Sequence, residues 1–218
     1  MKKFLFCLLL IPSFAISQII NKIDENRKKQ GDWSKQYKNG NVRYKGQFKN
    51  DIPQGLFFYY YNTGELQVEK EFFYNGEAAA THFFYKSGKL QSSGLYVDKL
   101  KDSTWNYYNR DSILIMSEQY QKGKLNGITK TFYSDGALYE IKNWENDFLN
   151  GVWKQFFMDG TLRMESFYKD NFRDGEQTYY YPNGQVYYNG FYRNGLKSGV
   201  WEFFTEDGIS DTLINYNE

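Results

Sequence analysis

Aromatic and aliphatic residues recur in fixed columns along this chain, separated by polar residues and glycine, at a spacing of 24 that repeats eight times. Position zero of the repeat falls at Gly31, Gly55, Ala79, Ser103, Gly127, Gly151, Gly175 and Gly199. A second small column lies nine residues on: Gly40, Gly64, Gly88, Ser112, Gly136, Gly160, Gly184 and Gly208. Position seventeen is always aromatic: Phe48, Phe72, Tyr96, Tyr120, Trp144, Tyr168, Tyr192 and Tyr216. A fixed period of this length marks a repeat architecture and outweighs local propensity in assigning the fold.

Within one copy, Gly151 to Leu162, an aromatic run reaches Asp159-Gly160 and a second extended run follows. Asp-Gly or Asn-Gly between such runs predicts a β-hairpin. In the seventh copy the turn reads Pro182-Asn183-Gly184. Proline suits the second position of a type I turn but has no N–H for a two-residue turn centred on Asn183-Gly184. Three-residue hairpin loops with a left-handed glycine are therefore expected. A second loop, such as Asn146 to Asn150, leads to the next hairpin. Twenty-four residues leave no room for a helical crossover, so the strands must be antiparallel. The fold class is all-β: an elongated antiparallel meander of eight hairpins in a single twisted sheet. It has about sixteen strands and, at about 4.8 Å per strand, a length of roughly 75 Å.

These turns put positions five, eleven and seventeen on one face, exemplified by Phe132, Leu138 and Trp144. Those uniformly apolar columns are expected to form the core. The other face takes the tryptophan column, Trp33, Phe57, Trp105, Trp153 and Trp201, with Tyr107 and Phe157 beside it. There, aromatic rows alternate with polar residues such as Arg163 and Glu165. If the turns had two residues, the faces would swap for the first strand of each hairpin.

The pattern Gly-x-Trp-x-x-aromatic-aromatic-x-Asp/Asn-Gly-x-Leu, followed by an aromatic, resembles the MORN-variant repeat. In particular the array resembles bacterial proteins of the YwqK-type antitoxin family. It departs from the pattern at Ala79, Ser103 and Ser112. The resemblance implies a hairpin array without enzymatic activity of its own, and it carries no residue-level site across.

Three segments follow from the chain's layout. Residues 1–17 read as a secretory signal peptide: Met1-Lys2-Lys3, an apolar run from Phe4 to Ile11, and Ala15-Ile16-Ser17 before Gln18. Residues 18–30 form a polar lead-in, and 31–218 the array. The expected location is therefore outside the cytoplasm: periplasmic, outer-surface or secreted. The single cysteine, Cys7, lies in the signal segment. Without it the mature chain has neither a disulfide nor a thiol nucleophile.

Charge and chemistry exclude several classes. Formal net charge is +1, and removal of Lys2 and Lys3 leaves 25 basic against 26 acidic residues. No basic block stands out, which argues against nucleic-acid binding. The single histidine, His82, supplies neither a His-based metal cluster nor a triad. The glycines mark turns and form no phosphate loop. Glu65, Glu69 and Glu71 read as solvated strand charge, and Asp111, Asp135, Asp159 and Asp207 as turn residues. No enzyme activity, cofactor or metal is expected. Aromatic rows can anchor a protein or stack on sugars. Trp105, Tyr107, Trp153 and Phe157 are the candidate binding residues. The expected function is an exported, non-enzymatic scaffold that binds a protein or cell-surface partner along its sheet. The alternatives are a cell-envelope carbohydrate-binding or carbohydrate-modifying protein, or an antitoxin- or immunity-type protein implied by the family resemblance. After signal cleavage no transmembrane span is expected.

Overall fold

The computed structural model describes residues 20–216. The expected signal segment lies outside them. Every regular element among the described residues is a β-strand, eighteen in all, in one antiparallel open sheet. Sixteen belong to the eight hairpins, beginning with Lys29–Gln36 and Val42–Lys49 and ending with Leu196–Phe204 and Ser210–Asn215. The other two have local causes. The fifth repeat's leading strand is interrupted at Asn126, giving Lys124–Leu125 and Gly127–Phe132. The lead-in contributes Lys22–Ile23, which pairs with Lys29 and Gln30 and partly covers the first edge strand.

The hairpin tips have the expected three-residue loops. In the sixth repeat, Gly160 N–H donates to the Phe157 carbonyl at 3.0 Å and Phe157 N–H to the Thr161 carbonyl at 2.8 Å. This is a type I turn closed by a left-handed Gly160, with φ 88°. The connections between hairpins are tighter than expected. Asn146 and Asp147, with φ 51° and 72°, form a two-residue turn joining Glu145 directly to Phe148. Both residues are left-handed, which Asn and Asp tolerate. Leu149, expected in the loop, is a buried strand residue.

The face assignment differs from expectation, and the reason is a second bulge. In the sixth hairpin Phe156 pairs with Leu162, but Gln155 pairs with Met164. The returning strand carries one extra residue there. The same shift occurs in all eight hairpins. An extra residue in a strand of period two moves everything beyond it to the opposite face. Positions five and eleven stay together, as expected. Position seventeen joins the tryptophan column instead, along with positions thirteen and fifteen.

That column is the core. Trp105 and Trp201 are each 1% exposed and Phe57 is 2% exposed. A single sheet buries a ring this deeply by laying it across a glycine of the preceding strand. A Cβ on Gly94 would come within 2.6 Å of Trp105 Cγ, and Gly46 and Gly190 stand in the same relation to Phe57 and Trp201. Aromatic residues commonly cover a strand glycine in this way. The position-seventeen rings close the edges: Tyr96 meets Trp105 at 4.9 Å and 72°, and Tyr192 meets Trp201 at 5.1 Å and 90°. Where the column is not aromatic, the position opposite changes too. Thr81 faces Lys70, and Gln177 faces Ser166.

Position zero is a left-handed bulge in seven repeats, retained even at Ser103 with φ 58°. The third repeat has lost it. Ala79 is not left-handed, and Phe73 pairs straight to Ala78 across the loop Tyr74 to Glu77. The residues that the bulge would have absorbed have moved into the turn.

Candidate interaction surfaces

Trp105, Tyr107, Trp153 and Phe157 share one side of the sheet, but the structure does not present them as an open patch. Trp105 is packed over Gly94, and its indole N–H donates to the Leu95 carbonyl at 3.0 Å. This corrects its expected role as an exposed anchor. Its polar end is satisfied internally and its ring is withdrawn from water. Lys101 closes the same group. Its Nζ lies 4.8 Å from the Trp105 ring centre and donates to the Tyr107 hydroxyl at 2.6 Å. Burial, reinforced by the Glu118 carboxylate, holds the Tyr107 hydroxyl pKa well above the usual tyrosine range. Trp153 is half-buried and donates to Glu140 Oε2 at 3.1 Å. Lys142 lies 4.8 Å over its ring and 2.7 Å from Glu140 Oε1. Phe157 is half-buried at a hairpin tip, with the Arg163 guanidinium 5.7 Å from its ring centre. The fifth repeat separates the two pairs and places buried Thr129 in the tryptophan column.

These residues belong to a regular internal pattern. The aromatic side chains at position seventeen form a row, and the strand that follows each one sets a side chain from position twenty-two opposite it. Phe48 faces Pro53, Tyr96 faces Lys101, Tyr120 faces Leu125 and Trp144 faces Leu149. Tyr168 faces Arg173 and Tyr192 faces Lys197. Arg173 spans the gap completely, donating to the Tyr168 hydroxyl at 3.0 Å and the Tyr192 hydroxyl at 3.2 Å. Lysine stems cover apolar rings while their charged ends meet the ring faces, a contact of about 0.5–1 kcal/mol at exposed sites. This face is therefore largely occupied by the protein's own side chains.

The opposite face carries a row of exposed apolar side chains. Position twenty-one, just after each inter-hairpin turn, exposes Ile52, Leu100, Phe148, Phe172 and Leu196. Leu100 is 48% exposed, Phe148 49%, Phe172 59% and Leu196 74%. By strand alternation they share a face with exposed Ile128, Val200, Phe167 and Phe191. The row is broken by Gly76 ahead of the third hairpin and by exposed Lys124 ahead of the fifth, and is uninterrupted over Phe148, Phe172 and Leu196. Leu100 leans to within 3.3 Å of the space a Gly123 Cβ would take, and Phe172 does the same at Gly195. The signal was present in the sequence as an apolar residue immediately after a polar or glycine turn pair, such as Asp170-Asn171 before Phe172.

Little on either face suggests chemistry. His82 Nδ1 lies 4.0 Å from Glu69 Oε1, and both side chains are partly exposed. Lys154 and Glu165 form a 2.9 Å ion pair across one hairpin. Among the described residues, no three His, Cys, Asp or Glu side chains converge on one point, and no helix is long and apolar enough to cross a membrane.

Four of the eight hairpins match a known repeat family. The family model described as MORN repeat variant matches residues 29–50, 125–146, 149–170 and 173–194, which are the first, fifth, sixth and seventh hairpins. The match is to the repeat and does not extend to the narrower YwqK-type family. Comparison with curated proteins finds no match. A solved structure described as "Crystal Structure of TarM" is similar over 54% of this chain and 20% of that one, at 13% identity and a TM-score of 0.32. This chain thus spans about a fifth of that structure, and a likeness at that level bears on neither activity nor substrate.

Proposed function

We propose that this protein is an exported, non-enzymatic repeat scaffold that binds a protein partner along the apolar ridge of its sheet. The carrying observation is the exposed row Leu100, Phe148, Phe172 and Leu196. Each repeat advances two strands, or roughly 10 Å, so Phe148, Phe172 and Leu196 form an uninterrupted row of roughly 20 Å, with Leu100 on the far side of Lys124. Covering a Phe or Leu that was exposed contributes about 1.5–3 kcal/mol. Contiguous apolar surface of this kind marks interaction sites. On the aromatic face, by contrast, the rings lie on the chain's own glycines and are covered by its lysines and arginine, which leaves them poorly placed to stack on a glycan. Export rests on the Lys2-Lys3 and Phe4-to-Ile11 pattern.

The test compares the parent protein with a Phe148→Ser, Phe172→Ser, Leu196→Ser variant in chemical cross-linking within the native cell envelope. A thermal melt checks that the variant folds. The proposal expects a defined cross-linked protein species that the triple variant loses at least tenfold while melting normally. Equal recovery by both proteins, or no protein species with either, overturns it. Intact-mass measurement of native material tests export: a mature start near Gln18 agrees, and retention of Met1 to Ser17 contradicts it.

A further inference from the structure

The two ends of the sheet are finished differently. At the first edge, Lys22–Ile23 pairs with Lys29 and Gln30. Asn21 N–H donates to the Asp32 carbonyl at 2.8 Å, and Ser34 N–H donates to Asn21 Oδ1 at 2.9 Å. The last strand, Ser210–Asn215, pairs only with Leu196–Phe204 among the described residues, and all six of its residues are exposed. Tyr216 N–H donates inward to the Gly199 carbonyl at 2.9 Å. Alternation along that register points the backbone groups of Thr212 and Ile214 inward and the N–H and C=O of Leu213 outward. Such an edge is a template for a further strand. The strand has no proline or lysine, the residues that commonly blunt one.

A hollow of about 380 Å³ adjoins this strand, lined by Tyr187, Phe203, Asp211, Thr212 and Ile214 among others. Six of the eight hairpin tips carry an aromatic ring at position six, but the eighth carries Thr205, which leaves that place open. Tyr187 beside it is 43% exposed. Thr212 is the small edge-strand residue at the hollow. A long side chain on an added strand, about 4.8 Å away, can lie back across it.

Charge selects the occupant. The last repeat, from Gly199 to Glu218, holds Glu202, Glu206, Asp207, Asp211 and Glu218 and neither lysine nor arginine. Like charges set opposite one another are destabilising, so the strand is poorly suited to pair with a second copy of itself. A cationic strand is attracted. Arginine fits the hollow best, because its planar guanidinium stacks on aromatic faces and pairs with a carboxylate. Asp211 accepts one local bond, from the Thr212 hydroxyl at 3.0 Å, and forms no ion pair among the described residues.

We propose that the last edge strand binds an extended basic segment of a partner protein by antiparallel strand addition. An arginine opposite Thr212 sits in the hollow against Tyr187, Phe203 and the Asp211 carboxylate. Backbone hydrogen bonds to Leu213 hold the segment, and the arginine sets its register. This surface is separate from the apolar ridge.

The probe is a capped peptide, Thr-Val-Arg-Val-Arg-Val-Arg-Thr, and its control has glutamate in place of each arginine. Both are titrated into isotopically labelled full-length protein and followed by amide NMR and hydrogen exchange. The expected result is saturable shifts centred on Ser210 to Tyr216, with the glutamate peptide at least tenfold weaker. At saturation the Leu213 amide should exchange at least tenfold more slowly. Leu213→Pro removes the outward donor but keeps the inward ladder, so it should abolish binding without unfolding the protein. Leu213→Thr keeps the donor and should bind within threefold of the parent. Asp211→Asn should weaken binding at least fivefold, and the Phe148→Ser, Phe172→Ser, Leu196→Ser variant should bind normally. Absent or scattered shifts, equal binding of the glutamate peptide or an unprotected Leu213 amide overturns the proposal. So does normal binding by folded Leu213→Pro or Asp211→Asn protein, loss of binding in the Leu213→Thr or ridge variant, or pairing of two protein copies through this strand.

Discussion

Gly94→Ala adds one methyl group to a strand and should be among the more damaging small changes in the chain. Gly94 is not in the left-handed region, so its backbone accepts alanine without strain. The obstacle is the Trp105 ring, which occupies the space that the new Cβ needs. Forcing the two together costs about 1–3 kcal/mol as overpacking. Trp105→Ala alone should cost about 3–5 kcal/mol, because the ring is fully buried. In that background the glycine has nothing left to accommodate. Adding alanine there should be neutral or stabilising by about 0.5–1 kcal/mol, the usual benefit of replacing a strand glycine. The cycle therefore predicts a coupling of about 1–4 kcal/mol between the two positions. Urea unfolding of the four proteins, followed by circular dichroism, measures it. Additive effects, or a Gly94→Ala protein within about 0.5 kcal/mol of the parent, would refute the packing argument.

The tip tyrosines tie neighbouring hairpins. Tyr133 donates its hydroxyl to the Phe156 carbonyl at 2.8 Å, and Tyr37, Tyr61, Tyr85 and Tyr181 make the same bond one repeat ahead. Tyr133→Phe should lower stability by about 0.5–1.5 kcal/mol in a denaturant titration. Phe157→Tyr, which adds the missing hydroxyl at the equivalent place, should raise stability by a similar amount. The Tyr120 pKa is pushed up to about 12 by burial and by the Glu118 carboxylate, which accepts a hydrogen bond from its hydroxyl at 2.8 Å. A raised pKa favours the neutral folded form, so this contribution is complete below about pH 10 and is lost as pH rises through about 12. Melting temperature should fall across that window and fall less steeply in Tyr120→Phe.

The period, the strand count and the tip turns were legible because they rest on local chemistry. Pro182 cannot donate an N–H, and Gly184 accepts the left-handed bend; both facts reside in single residues. The faces were not legible, because the deciding bulge has no residue signature. The residue at position twelve is Arg163 in one repeat and Tyr139, Ile115 or Asp211 in others. Such a bulge is set by pairing across the hairpin, which one strand alone does not reveal. A subtler sign was available in the pairs Gly46 with Phe57, Gly94 with Trp105 and Gly190 with Trp201, a small residue eleven places before a large ring. Of the candidate site, the sequence revealed that its four residues share a side. It did not reveal that lysines from position twenty-two and position fifteen would cover them.

Carbene footprinting, which labels exposed side chains, tests most directly which face is available to a partner. On the free protein it should modify Phe148, Phe172 and Leu196 and leave Trp105 and Trp201 unmodified. In the cross-linked complex, protection should fall on the first three. Labelling of Trp105 in the free protein, or protection confined to Tyr107 and Phe157, would contradict the assignment of the working surface.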